Sequence, residues 1–228
     1  MFKKAMLGFI LGDTMGLPVE FKGRTSLMQN PITKMEENNY DDIPKGAWTD
    51  DTAMTLATMD SITKVGDIDK EDLLTRYTDW IKNAKYTASG KVFDIGMTTA
   101  RAISKYELEK DPNTCGGTEY RDNGNGSLMR MLPIAYYCHI KKYTDEDIIK
   151  IVTDASSVTH AHEVSILGCY IYVRYVMFLL SHKDKHASYN MIKCLDYSSF
   201  SEDARNEYER ILKDNIYLED IDNIDSGG

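Results

Sequence analysis

The stretch that most constrains the fold is residues 46–62, GAWTDDTAMTLATMDSI, in which two adjacent acids precede an apolar run. After Asp50 and Asp51, apolar side chains occupy most sides of a helix, with only small threonines between them. A helix that is apolar nearly all round belongs inside a protein, so its first turn would hold two carboxylates where water is scarce. Buried carboxylates need hydrogen bonds or a cation. The stretch therefore predicts a core helix that begins at a polar site.

The T-D-D-T motif at the start of this helix has two interpretations. Successive helical residues diverge by roughly 100°, so Asp50 and Asp51 can face two neighbouring ions, with Thr49 adding an oxygen. Hard oxygen ligands of this kind suit Mg²⁺, Ca²⁺ or Mn²⁺. In the other interpretation, Thr49 is an N-cap and the two aspartates only oppose the helix dipole. The motif alone favours capping, and other motifs in the chain favour the metal site.

The N-terminal segment predicts a helix over residues 3–17 with an acid inside its apolar stripe. Asp13 lies among apolar residues at helical spacing, and Glu20 follows in the turn after the helix. The simplest interpretation of both acids is capping or a salt bridge, for instance with Arg24. Glycine costs a helix about 1 kcal/mol relative to alanine, so close backbone packing is predicted where it recurs at every fourth position, at Gly8, Gly12 and Gly16.

The remaining apolar patterns predict helices and no strand, so the fold class is all-α. Asp94 is a candidate N-cap for a helix that continues to about Leu108, and Thr144 with Asp147 resembles a capping box. Residues 182–200 are polar and predict a loop. The other predicted helices begin near residue 70 and near Pro133, or cover residues 164–180 and 202–213.

Charge, hydropathy and cysteine content argue against several classes of protein. The net charge of −9 argues against a nucleic-acid backbone partner, because no basic run is available to offset phosphates. Residues 164–180 are shorter than the roughly 20 residues that cross a bilayer and contain Arg174, so they predict a core helix and no membrane span. The four cysteines are far apart and form no C-x-x-C pair, which favours reduced thiols and a cytoplasmic location.

A loop and two histidines complete the candidate polar features. Residues 111–126, DPNTCGGTEYRDNGNG, contain too many turn formers for a regular element. They lead into a helix, and such a glycine- and asparagine-rich loop exposes backbone N–H groups that can cradle a phosphate. His160 and His162 precede the long core helix. A metal-binding role is possible for such a pair, but hydrogen-bonding roles are favoured.

Five motifs follow one another along the chain. They are GFILGDTMGLPVEF (residues 8–21), GAWTDDTAM (46–54), FDIGMTTARA (93–102), NGNGSLMRMLPIA (123–135) and VTHAHEV (158–164). In this order they resemble the ADP-ribosylglycohydrolase family, the type that includes the dinitrogenase-reductase-activating glycohydrolase. Each motif is weak alone, whereas five in sequence are highly specific. The resemblance covers the chain to about residue 180.

This resemblance implies a single orthogonal all-helical domain over residues 1–228, with a dinuclear Mg²⁺ or Mn²⁺ site in a central cleft. It also implies hydrolysis of the bond between C1″ of ADP-ribose and an acceptor. The implied metal ligands are Thr49, Asp50 and Asp51. Glu20 matches an acid beside the metals, and Asp94 matches an aspartate that acts as general base or substrate contact. The residues implied to hold ADP-ribose, or to line its cleft, are Asn125, Gly126, Ser127, Arg130 and His160.

The sequence departs from the family in one respect. The family carries a G-G-D-T-D-T motif near its C-terminus that adds metal ligands, and this sequence, which ends at residues 226–228 with SGG, has none. The metal site is therefore expected to be incomplete. The sequence is interpreted as a truncated product, a natural short form or half of a split protein. Three hypotheses follow: a metal-dependent hydrolase of an ADP-ribosylated protein or small molecule, a catalytically impaired ADP-ribose-binding module, or an unstable remnant. The acceptor linkage, the metal and the oligomeric state stay open.

Overall fold

The computed structural model describes residues 2–220, 223 and 224, and the SGG ending lies outside these described residues. Their regular elements are eleven α-helices and four short 3₁₀ turns, with no strand, which confirms the all-α class. The helices are α1 (Phe2–Gly16), α2 (Arg24–Gln29), α3 (Asp50–Val65), α4 (Lys70–Asn83), α5 (Met97–Glu109), α6 (Leu132–Lys141), α7 (Asp145–Ser157), α8 (Glu163–His182), α9 (Lys185–Lys193), α10 (Glu202–Glu207) and α11 (Glu209–Leu212). The 3₁₀ turns are Leu17–Val19, Tyr120–Asp122, Leu128–Arg130 and Ile216–Leu218.

Helix α8 is the centre of the larger hydrophobic core and packs against α6, α7, α9 and α10. By length and composition alone it could cross a membrane, and half of its apolar window is buried inside the fold. Its Arg174 is buried and forms an ion pair with Asp145 at the start of α7. The prediction of a core helix in this segment is confirmed, because its apolar side chains pack against the surrounding helices.

Helix α3 belongs to a second core, which it forms with α4 and α5 around Met54, Tyr77 and Trp80. The helix is buried on most sides, as its composition predicts. Its buried threonines are compatible with this position because their hydroxyls find partners. The Thr58 hydroxyl, for example, donates to the Met54 carbonyl at 2.8 Å and contacts the Tyr77 hydroxyl at 2.7 Å. A satisfied hydroxyl avoids the free-energy cost of a buried polar group without a partner.

Most predicted helices are present, and the capping box of α7 is confirmed. The Thr144 hydroxyl accepts from Asp147 N at 3.2 Å, and the Asp147 carboxylate accepts from Thr144 N at 3.1 Å. The loop predicted over residues 182–200 is wrong, because α9 occupies part of it. Asp184 caps this short helix by accepting from the Ala187 N–H at 2.7 Å. Apolar side chains at positions 189 and 192, one helical turn apart, pack into the core.

Two further predictions need correction. Asp94 does not cap α5: the helix begins at Met97 with Gly96 as N-cap. Asp94 itself has φ +55°, whereas an N-cap residue takes an extended backbone. The prediction of close backbone packing at the glycines in positions 8, 12 and 16 is also wrong, because no other described element packs against them. An added Cβ at any of them would meet no described atom within 4 Å.

Candidate active site

A cleft of about 470 Å³ opens where α1 ends, where α3 begins and just before α5. Its walls include Gly12 and Gly16 of α1, which explains why these glycines face open space. Asn125 and Met129 contribute the wall nearest the glycine- and asparagine-rich loop. The carboxylates that line the cleft are those of Asp13, Glu20, Asp50, Asp51 and Asp94. Four of these five acids are among the predicted site residues, and the structure brings them together from three separate motifs.

Asp13 is the acid that the site prediction omitted, and it fixes the start of α3. Its carboxylate accepts hydrogen bonds from the backbone N–H groups of Thr49 and Thr52, each at 3.1 Å. Both threonine hydroxyls also donate to it, at 2.9 Å from Thr49 and 2.5 Å from Thr52. A helix N-terminus has four N–H groups without intrahelical partners, and Asp13 satisfies two of them from another helix. Its position in an apolar stripe was the sequence signal for this role.

Thr49 is the N-cap of α3, as the capping interpretation predicts. Its side-chain oxygen accepts from the Asp51 N–H at 3.3 Å, while its hydroxyl proton is directed to Asp13. The side chain is therefore engaged on both sides within the protein. The capping and metal-binding interpretations are compatible, because a hydroxyl oxygen can still offer a lone pair to a neighbouring ion.

The two acids in the first turn of α3 have pKa values well above the ordinary value for aspartate. Burial raises the pKa of Asp50 from 3.8 to about 8, and the neighbouring Asp51 charge adds to the effect. Burial also raises the pKa of Asp51, to about 6, with Asp13 as the next cause. Neither carboxylate forms an ion pair with any residue that the structure describes. At neutral pH these groups are held in an environment that lacks a positive charge.

Glu20 and Asp94 also line the cleft. The Glu20 Oε2 atom is buried and has no hydrogen-bond partner among the described residues, and the predicted alternative of an ion pair with Arg24 does not form. Burial and the nearby Asp94 charge raise the pKa of Glu20. Burial and the Asp13 charge raise the pKa of Asp94, whose φ of +55° lies in a region that aspartate tolerates better than most residues.

The carboxylate oxygens that line the cleft are the type of ligand that a hard divalent cation prefers. Five carboxylates face one cleft, one of them has a buried oxygen without a partner, and none is paired with a cation in the described part of the chain. Within that part no three histidine, cysteine, aspartate or glutamate side chains converge as a closed ligand set. Mg²⁺ is commonly held by one or two carboxylates with several waters, so an open ligand set suits it.

The predicted substrate-binding residues divide into an accessible and a buried group. Asn125 lines the cleft, and Gly126 lies directly behind it against the His160 ring. A Cβ on Gly126 would lie 2.8 Å from His160 Cε1 and 3.0 Å from the Thr99 hydroxyl oxygen. Only glycine therefore allows the loop to lie this close to the buried histidine.

Arg130, Ser127 and His160 are 0 %, 0 % and 2 % exposed, so they support the loop from inside the protein. The Arg130 guanidinium donates to the Gly126 carbonyl at 2.8 Å, to the Ala155 carbonyl at 3.0 Å and to the Thr159 hydroxyl at 2.8 Å. Burial and the Arg130 charge lower the pKa of His160 to about 3, so its ring is neutral. Ser127 contacts the Ser156 hydroxyl at 2.9 Å.

Comparison with known proteins identifies the family to which this architecture belongs. A profile of the ADP-ribosylglycohydrolase family matches residues 2–224, almost the entire chain. The chain belongs to the ADP-ribosylglycohydrolase family. The resemblance seen in the five motifs is thereby confirmed, and residues of four of these motifs line the acidic cleft.

Individual relatives agree with this membership of the ADP-ribosylglycohydrolase family. An ADP-ribosyl-[dinitrogen reductase] glycohydrolase from Rhodospirillum rubrum is 30% identical over 187 residues, which cover 80% of this chain and 59% of the relative. An ADP-ribosylarginine hydrolase Tri1 from Serratia proteamaculans (strain 568) is 27% identical over 183 residues, which cover 79% of this chain and 46% of the relative. The chain thus spans about half the length of the curated relatives that it matches.

Proposed function

We propose that this chain hydrolyses the glycosidic bond between ADP-ribose and an acceptor, with arginine as the acceptor side chain. The observation that carries the proposal is the group of five cleft carboxylates beside Asn125, none of which forms an ion pair with another described residue. The name of the Serratia proteamaculans relative, an ADP-ribosylarginine hydrolase, supports the arginine linkage. The name of the Rhodospirillum rubrum relative, an ADP-ribosyl-[dinitrogen reductase] glycohydrolase, supports a protein substrate. A protein carrying ADP-ribosylarginine is accordingly the proposed substrate, with a small molecule as the alternative.

The carboxylates suit the chemistry of this bond. Cleavage of a glycosidic bond passes through a state with oxocarbenium character, which nearby negative charges stabilise. Asp94 is proposed as the general base that accepts a proton from the attacking water, whose oxygen bonds to C1″ as the bond to the acceptor nitrogen breaks. The acceptor nitrogen takes up a proton as it leaves. A raised pKa suits such a base, because it makes the carboxylate a better proton acceptor near neutral pH.

The remaining acids are proposed to hold divalent cations. Thr49, Asp50 and Asp51 would bind Mg²⁺ or Mn²⁺, with Glu20 beside them, and a dinuclear site is expected from the family. Held by these residues, such a cation would supply positive charge for orienting the substrate and for activating water. Asp50 supports this proposal most directly. Burial and the neighbouring acids raise its pKa to about 8, and a bound cation would favour its ionised form.

The loop is proposed to receive the pyrophosphate. Asn125 and the Gly126 backbone would contact it, while Ser127, Arg130 and His160 hold the loop in position from the buried side. Backbone N–H groups of a loop at a helix start favour anions. The four cysteines are free, which supports the further proposal of a reducing cytoplasmic location.

The decisive experiment measures ADP-ribose release from arginine-linked and serine-linked mono-ADP-ribosylated peptides, with Mg²⁺ or with chelator. We expect release from the arginine-linked peptide with Mg²⁺, and loss of release with chelator and in Asp50→Ala. Asp79→Ala is the matched control, because Asp79 is a surface aspartate of α4 that pairs with Lys85 outside the cleft. Release that persists unchanged in Asp50→Ala would refute the assignment of this site.

A second candidate function is an ADP-ribose-binding module without turnover. The observation that favours it is the open ligand set, in which no three candidate side chains of the described residues converge. This function predicts that ADP-ribose binds with the same affinity in Mg²⁺ and in chelator, and that no ADP-ribose is released. Isothermal titration calorimetry with ADP-ribose distinguishes the two, because the hydrolase predicts stronger binding with Mg²⁺.

A further inference from the structure

The turn that follows the 3₁₀ turn Leu17–Val19 has a backbone conformation that its sequence does not favour. Lys22 N donates to the Val19 carbonyl at 3.0 Å, which closes a four-residue turn around Glu20 and Phe21. Glu20 has φ −53° and ψ 138°, and Phe21 has φ +61°. These angles follow the pattern of a type II turn, in which the second central residue is normally glycine because φ is positive there.

Packing of the Phe21 side chain does not offset the cost of this backbone conformation. Its side chain is 89 % exposed, the highest value among the large hydrophobic residues of the described part of the chain. A bulky residue with positive φ is a true outlier, and such strained residues cluster at functional sites. An exposed ring in a strained turn is therefore better explained by a contact with a ligand than by the stability of the fold.

The turn continues directly from a residue of the cleft wall, although Phe21 itself does not line the cleft. Glu20 lines the cleft, and the Cα atom of the next residue lies about 3.8 Å further along the chain. The carboxylates on this side attract cations and repel the diphosphate of ADP-ribose. The diphosphate is instead expected beside Asn125, so the acceptor is expected on the side of Glu20 and its neighbour Phe21.

We propose that Phe21 is the acceptor-contact residue, whose ring stacks on the guanidinium of an ADP-ribosylated arginine. This inference rests on the hydrolase function proposed above and adds the residue that selects the linkage. A guanidinium is planar and charged and stacks on aromatic faces, whereas a serine-linked acceptor offers neither a plane nor a positive charge. Phe21 should thus favour arginine-linked over serine-linked substrates.

The test compares Phe21→Gly and Phe21→Tyr with the parent chain. For Phe21→Gly we expect KM for the arginine-linked peptide to rise about tenfold, the size of one cation–aromatic contact, with kcat within about twofold. Phe21→Tyr should restore KM, because it keeps an aromatic face. Thermal unfolding of Phe21→Gly should stay within about 2 °C of the parent, since relief of strain offsets the added freedom of the unfolded chain.

Lys142→Gly is the matched control, because Lys142 is an exposed residue with φ +58° that ends α6 and does not line the cleft. It should leave KM unchanged. Calorimetry in chelator adds a measurement that needs no turnover: the parent should bind the arginine-linked peptide more tightly than free ADP-ribose, and Phe21→Gly should abolish this difference.

The outcomes separate this inference from the proposed function. A parent chain that releases no ADP-ribose contradicts the hydrolase function, and the binding difference then decides the role of Phe21 alone. An unchanged KM together with an unchanged peptide affinity in Phe21→Gly overturns the acceptor contact. An equal loss of affinity for free ADP-ribose overturns it as well, because the ring would then contact ADP-ribose itself.

Discussion

The Thr52 hydroxyl donates a 2.5 Å hydrogen bond to the Asp13 carboxylate, so α1 and the first turn of α3 are joined at the cleft. The Asp13 carboxylate is therefore occupied by structural hydrogen bonds. Asp50 and Asp51, in the first turn of α3, line the cleft. One acid of the group therefore holds the others in place. The remaining acids share the site without an ion-pair partner among the described residues, and burial together with the neighbouring carboxylates raises the pKa values of Asp50 and Asp51.

We expect Asp13→Ala to destabilise the protein by about 2 kcal/mol, the upper range for loss of a helix N-cap, because two N–H groups and two hydroxyls of α3 lose their acceptor. Urea denaturation followed by circular dichroism measures this free energy of unfolding. Thr52→Val, which keeps the shape of the side chain and removes only its hydroxyl, should cost about 1 kcal/mol. Equal stability of Asp13→Ala and the parent would show that α3 is held by other contacts.

Stability in chelator should fall as pH rises through the range in which the cleft acids ionise. Asp50 has an ordinary pKa of 3.8 and a folded-state pKa of about 8, so between these values the folded state binds more protons than the unfolded state. Linkage then requires the free energy of unfolding to decrease from about pH 4 to about pH 8. Asp51, with a pKa of about 6, contributes over the lower part of this window.

The measurement is the midpoint of thermal unfolding in chelator at several pH values between 5 and 8. Asp50→Asn should flatten the decrease, because an amide does not titrate in this range. Asp79→Asn is the matched control and should keep the slope of the parent, since Asp79 lies at the surface of α4. If the unfolding midpoint of the parent chain rises between these pH values, the raised pKa values of Asp50 and Asp51 are contradicted.

The Gly126→Ala substitution should weaken ADP-ribose binding by about tenfold or more, whereas Gly124→Ala should have little effect. At position 126 a Cβ would meet the His160 ring at 2.8 Å and the Thr99 hydroxyl at 3.0 Å, and at position 124 the nearest atom is 3.7 Å away. The first contact forces the loop to shift, and the second is an ordinary van der Waals distance. Calorimetry with ADP-ribose compares the two variants, and equal affinities would show that the loop is not held against His160.

The sequence predicts the fold class and names four of the five acids that the structure brings to one cleft, because both follow from local patterns. Apolar spacing identifies α1, α3 and α8, and adjacent acids before a core helix identify Asp50 and Asp51. Asp13 was noted within an apolar stripe, but its partners lie 36 and 39 positions along the chain. Contacts over that distance depend on how the helices pack and leave no periodic signal.

The placement of the loop residues shows a second limit of sequence reasoning. Arg130 and His160 belong to motifs that imply contact with ADP-ribose, yet both are buried behind Gly126. A motif records which residues occur together and does not separate those that contact a ligand from those that support them. The sequence does not indicate the short helix α9, because its exposed polar residues outweigh its two buried apolar residues, Tyr189 and Ile192.

Arg130→Lys should destabilise the protein by about 3 kcal/mol, because a buried charge would lose partners that only the guanidinium fork can reach. Its three hydrogen bonds go to two carbonyls and one hydroxyl, and its Cζ atom lies 4.9 Å from the centre of the Tyr77 ring. A lysine ammonium has donors but no such plane. Urea denaturation measures the loss, and Arg101→Lys, at a half-exposed arginine paired with Asp122, should cost less than about 1 kcal/mol. If the two substitutions cost the same, Arg130 is not the support of the Gly126 loop.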